Sequence, residues 1–443
     1  MGPISDRGVS QRERFNVDLQ RDIEDILRFG REHRDGSYLV VFGDMNANDA
    51  RAISQYLGAQ GNQTLLSVFR EASPNALFFY PQVNAFSGLP DNFGISSALA
   101  DDTSFRAQPY DKHVERALQM GVRYILLTSE ELADRLKQEP YVKQKYVFGF
   151  WNLLELSGTP PPAVRPLENL PALVLTDFSV KRRRRNEHNF IRFAEEQFAD
   201  GWFDVMLAYA PSRRLEELGD SELANFGAVL VEDFDCRDCD RAFERLRAFG
   251  RQRPLILYRT DAPLFKRLEA SAAEFPALTV IERNDSAGPG EWMENYNQPT
   301  YDYNQSPLRG EWAQIRAALE SHKTPAPAYT VTGSITDNEV SISGGGAQGT
   351  PVPVLVRVTY YPNWRRDDDA PLYITTPAHM LTFVDRPVSI RYVRKVPDTV
   401  ALYASAATLV GLFGFALFYG RWRAPIELPV SEPKVTLGRG SRS

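Results

Sequence analysis

Cysteine is scarce in this chain: Cys236 and Cys239 are the only two in 443 residues, so no disulfide framework holds the fold together. Histidine is nearly as rare, and His33, His113, His188, His322 and His379 stand too far apart for the short spacing of a metal-binding pair. There is no excess of positive charge. Lys and Arg number 51 against 57 Asp and Glu, for a net charge of −6, without the basic footprint expected of a nucleic-acid partner. The first residues, MGPISDRGVSQRERF, are charged where a secretory signal carries its apolar stretch. Before residue 400 no apolar run is long enough to cross a bilayer.

What is present is an ordinary globular composition, 43% hydrophobic and 24% charged, with room for two or three domains. One segment departs from it. Val400 to Tyr419, VALYASAATLVGLFGFALFY, has no charge, and as a helix it spans roughly 30 Å, the thickness of a bilayer's hydrocarbon core. A single membrane crossing is expected there. The flanking charges, Arg386, Arg391, Arg394 and Lys395 before and Arg421, Arg423 and Lys434 after, are nearly balanced and do not orient it. Two readings stay open: a tail anchor, or the last portion of a larger membrane protein whose earlier helices are absent. Ala407, Gly411 and Gly414 would let a second helix approach closely, which favours the latter.

Periodicity divides the rest into α/β and β parts. Residues 1–160 read as a mixed α/β domain, with a helix through Leu19, Ile23, Ile26 and Leu27 ending at Gly30 and a strand from Tyr38 to Phe42. Asn62 to Asp102 reads as a long structured loop. A strand follows from Arg123 to Leu127, then a helix opened by a Thr128/Glu131 capping box, then one strand over Tyr146 to Leu156. Residues 170–285 alternate short apolar runs with amphipathic helices, the signature of a flavodoxin-like parallel sheet with crossover helices. Residues 286–325 form a linker and one helix. Residues 326–396, rich in Val, Ile, Thr and Tyr, are expected to make a small juxtamembrane β-sandwich, followed by the transmembrane helix at 400–419 and a tail at 421–443.

Four short stretches carry candidate chemistry. Gly43, Asp44, Met45 and Asn46 match the strand-end GDxN of metal-dependent phosphodiesterases, but the Ser-Asp-His that such sites need is missing, and a helix-capping turn explains them. VLVEDFDCRDCD, Val229 to Asp240, lies where a strand meets a helix, the ligand position of open α/β sheets. Within it Asp233 and Asp235 have the D-x-D spacing that can hold a divalent cation and a diphosphate. Cys236 and Cys239 form a C-x-x-C whose acidic neighbours oppose a thiolate, so a structural disulfide or a pair of free thiols is expected. Lys181 to Arg185, KRRRR, is either a solvated linker or a site for anionic lipid or glycan. Trp364 and Arg365 could stack on a sugar or anchor the chain near the membrane.

Three segments, LLSVFREASPNALFFYPQVNAFSG, HVERALQMGVRYILLTSEELADRL, and VPVLVRVTYYPNWRRDDDAPLYITTPAHMLTFVDRPVSIRYV followed by the apolar run, are similar to the extracytoplasmic C-terminal region of bacterial GT-C-type membrane glycosyltransferases. The group includes those called 6-pyruvoyl-tetrahydropterin synthase-related membrane proteins. The third segment is the most specific, through its Tyr-Pro-Asn-Trp-Arg turn, and the three span about half the chain. The resemblance implies an inner-membrane protein with its bulk extracytoplasmic and a cytoplasmic tail from Arg421. It also implies a multi-pass partner or an absent N-terminal transmembrane half, contact with membrane lipid, and a glycan or polyprenyl-phosphate sugar as ligand. GT-C catalytic carboxylates lie between early membrane helices that this chain lacks. No catalytic residue, metal or cofactor is therefore assigned. Three functions remain in view: an accessory region shaping acceptor or donor access, a non-enzymatic scaffold of a membrane complex, and an independent enzyme using Asp233 and Asp235.

Overall fold

The structure is a computed structural model that describes residues 7–41, isolated positions between 53 and 64, 109–176, 192–210, 215–232, 236–258, 263–282, 307–336, 339–345, 349–360, 363–376, 379–393, and isolated positions between 408 and 415. Contacts divide the chain into two units, Met1–Tyr392 and Val393–Ser443.

In the first unit, helix α1 (Arg7–Glu32) leads into β1 (Ser37–Val40). The helix does not stop at Gly30. Gly30 lies inside it, at a position where a Cβ would stand 2.7 Å from Leu57, so the glycine serves close approach. Next come α2 (Tyr110–Gln119), β2 (Val122–Leu127), α3 (Glu130–Lys137), β3 (Val142–Phe148) and β4 (Trp151–Leu156). The cap of α3 is Ser129, one residue later than the expected Thr128, and its hydroxyl accepts from the Leu132 N–H at 3.2 Å. The single strand expected over Tyr146 to Leu156 is a hairpin, turned at Gly149, whose φ of +59° favours glycine. These four strands form one sheet in the order β1-β2-β4-β3.

The chain continues through β5 (Val164–Pro166), β6 (Ala172–Leu175), α4 (Arg192–Asp200), β7 (Leu207–Tyr209), α5 (Asp220–Leu223), β8 (Ala228–Val231), α6 (Cys239–Gly250), β9 (Leu255–Tyr258), α7 (Pro263–Ala270), β10 (Leu278–Ile281) and α8 (Pro307–Ser321). The remaining strands are β11 (Val331–Ile335), β12 (Glu339–Gly344), β13 (Val352–Thr359), β14 (Trp364–Arg366), β15 (Tyr373–Thr375), β16 (His379–Val384) and β17 (Val388–Tyr392). Strands β6 to β9 are buried along their whole length, as strands covered on both faces must be, and they read as uninterrupted apolar runs.

Nine strands make the largest sheet, in the order β10-β9-β8-β6-β7-β15-β16-β13-β5. The first five are parallel, and in chain order they run 2-1-3-4-5, a doubly wound arrangement. The other four are antiparallel additions, joined where Ile374 of β15 pairs with Tyr209 of β7. The segment 326–396 is thus not a sandwich of its own. Its strands β13, β15 and β16 extend the parallel sheet, covering the edge that β7 would otherwise leave unpaired, and only β11, β12, β17 and β14 form a separate antiparallel sheet.

In the second unit Thr408, Val410, Gly411, Leu412 and Phe415 are helical, with Val410, Leu412 and Phe415 exposed. The rest of the 400–419 run lies outside the described residues. Among the described residues no helix is long and apolar enough to cross a membrane.

Candidate functional site

Successive strands leave β6 in opposite directions across the sheet, toward β7 on one side and β8 on the other. The crevice outside the carboxyl ends of β6 and β8 is where an open α/β sheet binds ligands, because the two crossover connections diverge there. Each strand ends in a buried polar residue. Thr176 follows β6 and Glu232 follows β8, 8% and 1% exposed, and the Glu232 N–H donates to the Leu175 carbonyl at 2.9 Å, extending the ladder by one rung. Sequence reading passed over Thr176 and gave Glu232 no role within the Val229 to Asp240 stretch, although each apolar run, ALVLT and AVLVE, closes on a polar residue.

Past Glu232, Asp233 and Asp235 lie outside the described residues, as do Lys181 to Arg185 and the Gly43 to Asn46 turn. The chain is described again at Cys236, which is half-buried against the apolar core and disulfide-bonded to Cys239, the first residue of α6. Between them Asp238 caps the helix, its carboxylate accepting from the Arg241 N–H at 3.1 Å. The Arg237 N–H donates to Glu216 at 3.1 Å, tying this loop to the turn that precedes α5. The disulfide and the cap fix the first turn of α6 and the three residues before it.

A second polar layer lies under α4 and α8. Tyr258, at the end of β9, donates to Glu311 of α8 at 2.6 Å, both side chains being buried. Gln197 of α4 donates to the Val205 carbonyl at 2.8 Å and accepts from Thr376 at 2.6 Å. Trp312 and Arg316 of α8 both reach Asp200, at 3.2 and 2.7 Å, which fixes α8 to α4. These side chains are fully engaged in holding helices and strands together. Among the described residues no cluster of three His, Cys, Asp or Glu side chains is arranged to hold a metal.

Trp364 and Arg365 are placed elsewhere, on β14 in the four-stranded antiparallel sheet. Trp364 is only 6% exposed and meets Tyr392 edge to face at 5.5 Å, so its ring belongs to the core and offers no open face for a sugar. Arg365 is exposed and donates to the Trp364 carbonyl at 3.2 Å. The neighbouring Arg366 is the buried one: it forms a paired hydrogen bond with Asp368 at 2.8 and 2.6 Å and reaches Thr382 of β16 at 2.6 Å.

No protein-family model matches the chain, and no curated protein or solved structure matches it either.

Proposed function

We propose that this chain is the membrane-anchored, extracytoplasmic accessory region of a GT-C-like envelope glycosyltransferase system. In that role it shapes the access of an acceptor or a polyprenyl-phosphate sugar to a catalytic centre on a multi-pass partner. The observation that carries the reading is the similarity of the three segments, the last of them directly before an uncharged run of membrane-spanning length, and the Cys236–Cys239 disulfide accords with an oxidising compartment. The apolar run at 400–419 supplies the anchor, and the similarity of three segments to GT-C C-terminal regions supplies the system. Because both cysteines are bonded, Ser443→Cys adds a single free thiol to the chain. In sealed right-side-out vesicles that thiol is expected to resist an impermeant maleimide until the membrane is opened. Labelling before opening would place the tail outside and remove the reading.

A second reading rests on the D-x-D spacing of Asp233 and Asp235, which in sequence directly follow Glu232, the residue after β8. There they would hold a divalent cation and a sugar diphosphate in an independent transferase. The accessory reading expects no turnover by the purified chain with polyprenyl-phosphate or nucleotide sugars, with or without manganese. Turnover abolished by Asp233→Ala would establish the second reading instead.

A further inference from the structure

At the antiparallel end of the nine-stranded sheet, β15, β16, β13 and β5 lie side by side. Leu355, Tyr373, Leu381 and Phe383 from these strands contribute to an apolar core. Toward one end of the strands that lining gives way to polar groups. Arg165 sits opposite Leu355, the Arg357 N–H donates to the Ala163 carbonyl at 2.7 Å, His379 pairs with Thr359, and Thr375 pairs with His379. Four strands thus bring two guanidiniums, an imidazole and a hydroxyl into one neighbourhood.

Several of their polar atoms find no hydrogen-bond partner among the described residues. Nε of Arg165, Nε and Nη1 of Arg357, and Oγ1 of Thr375 are buried without a hydrogen-bond partner. Thr375 is 1% exposed and His379 4%. An unmade hydrogen bond of this kind costs about 1–3 kcal/mol, more at a charged group, so buried donors of native proteins almost always meet a protein acceptor, an ordered water or a bound ligand. Three of the four atoms belong to guanidiniums of the neighbouring strands β5 and β13, and all three are donors. Burial, and then the like charge of Arg165, push the Arg357 guanidinium down to about 10. Glu168 acts favourably on Arg165, yet no ion pair with either arginine is found among the described residues.

The backbone is also shaped around this pair. Strand β13 bulges against β16 between Val356 and Thr359, the stretch that carries Arg357. Gly121, in the turn between α2 and β2, has a φ of +91°, and a Cβ there would stand 2.5 Å from Nη1 of Arg357. The guanidinium therefore rests directly on glycine backbone. Both arginines keep partial exposure, which leaves a route from solvent.

We propose that Arg165 and Arg357, with Thr375 and His379 beside them, form a binding site for a phosphate-class oxyanion, as the free ion or as a phosphate ester. Two guanidiniums match the charge of a phosphate dianion and offer the forked donors that its oxygens accept. The hydroxyl of Thr375 adds a further donor. The site does not depend on the glycosyltransferase reading, since it lies on strands apart from the β6/β8 crevice.

Thermal unfolding of the full chain in inorganic phosphate, against chloride at equal ionic strength, reads the site by linkage. A saturable rise in Tm is expected with phosphate. Arg357→Met and Arg165→Met should each weaken phosphate binding at least tenfold while melting no lower than the parent in chloride, because each removes an uncompensated buried charge. A short-chain alkyl phosphate then assigns the source. A matching rise identifies an ester headgroup, and a rise with inorganic phosphate alone identifies the free ion. Line broadening of the phosphorus-31 resonance on titration with the parent chain, reversed by sulfate, reads binding without any variant. No broadening, or equal phosphate response in the parent and both variants, would overturn the site.

Discussion

His379 shows what burial does to a single residue. It is 4% exposed, and burial first, then the charges of Arg357 and Arg165, push its imidazole from the usual 6.5 down to about 3. The folded chain holds it neutral where the unfolded chain would protonate it. Between pH 6.5 and 3 the unfolded state binds the extra proton, so this contribution to stability is complete above 6.5 and is lost as pH falls toward 3. From pH 7 to 5 the loss amounts to about 2 kcal/mol from this residue. His379→Gln removes the titration, and its urea midpoint should fall less than the parent's between those two pH values. Equal falls would show that the imidazole titrates normally. Nothing in the sequence marked this histidine, because its environment is assembled from β5, β13 and β16, and β5 ends at Pro166, far along the chain from His379.

At the scale of one element, β14 separates two adjacent arginines. Its residues alternate buried, exposed, buried, which places Trp364 and Arg366 inside and Arg365 outside. The sequence singled out Trp364 and Arg365 as an aromatic and cationic pair, yet three residues are too few for their alternation to be distinguished from a turn. The consequence is measurable. Burial would raise Asp368, but its hydrogen bonds from Arg366 and the Ala370 N–H, with the charges of Arg366 and Arg386, hold it below the ordinary carboxylate range. Arg366→Ala leaves that carboxylate without its main partner and opens the link to Thr382, and should cost roughly 3–5 kcal/mol in urea unfolding. Arg365→Ala should stay within about 0.5 kcal/mol. Comparable losses in the two variants would mean that the alternation is misplaced. Elements with strong local signals were legible: the alternation of short apolar runs and helices expected over residues 170–285 is present as β6 to β10 and the helices between them. The hairpin at Gly149 was not, because the residues flanking the turn, Tyr146 to Phe148 and Phe150 to Trp151, are all apolar or aromatic and one glycine is a weak stop.

For the whole molecule, the question is whether the parallel sheet and the β-rich segment fold apart. Local periodicity drew a boundary at 286–325, since pattern reports what an element is and not what it pairs with. The pairing crosses that boundary. Tyr373 of β15 reaches Glu222 of α5 and packs edge to face on Phe226 at 5.2 Å, and Phe383 of β16 meets the same ring at 5.1 Å. Thr376 bonds Gln197 at 2.6 Å in a buried contact. One apolar core contains Leu173, Phe226 and Val229 from the parallel half together with Leu355, Tyr373, Leu381 and Phe383 from the antiparallel half. Removing the second group would expose the edge of β7 and truncate the core by four large side chains, each worth about 1.5–3 kcal/mol of burial. That total is comparable to the entire stability of an ordinary domain. A chain ending at Tyr392 is therefore expected to melt in one calorimetric transition that involves both halves. A chain ending at Pro325 should show no cooperative transition for the parallel sheet and no near-ultraviolet dichroism from its tyrosines and tryptophans. If the shorter chain instead melts sharply at the temperature of the longer one, the two halves are autonomous domains and the nine-stranded sheet adds nothing to their stability.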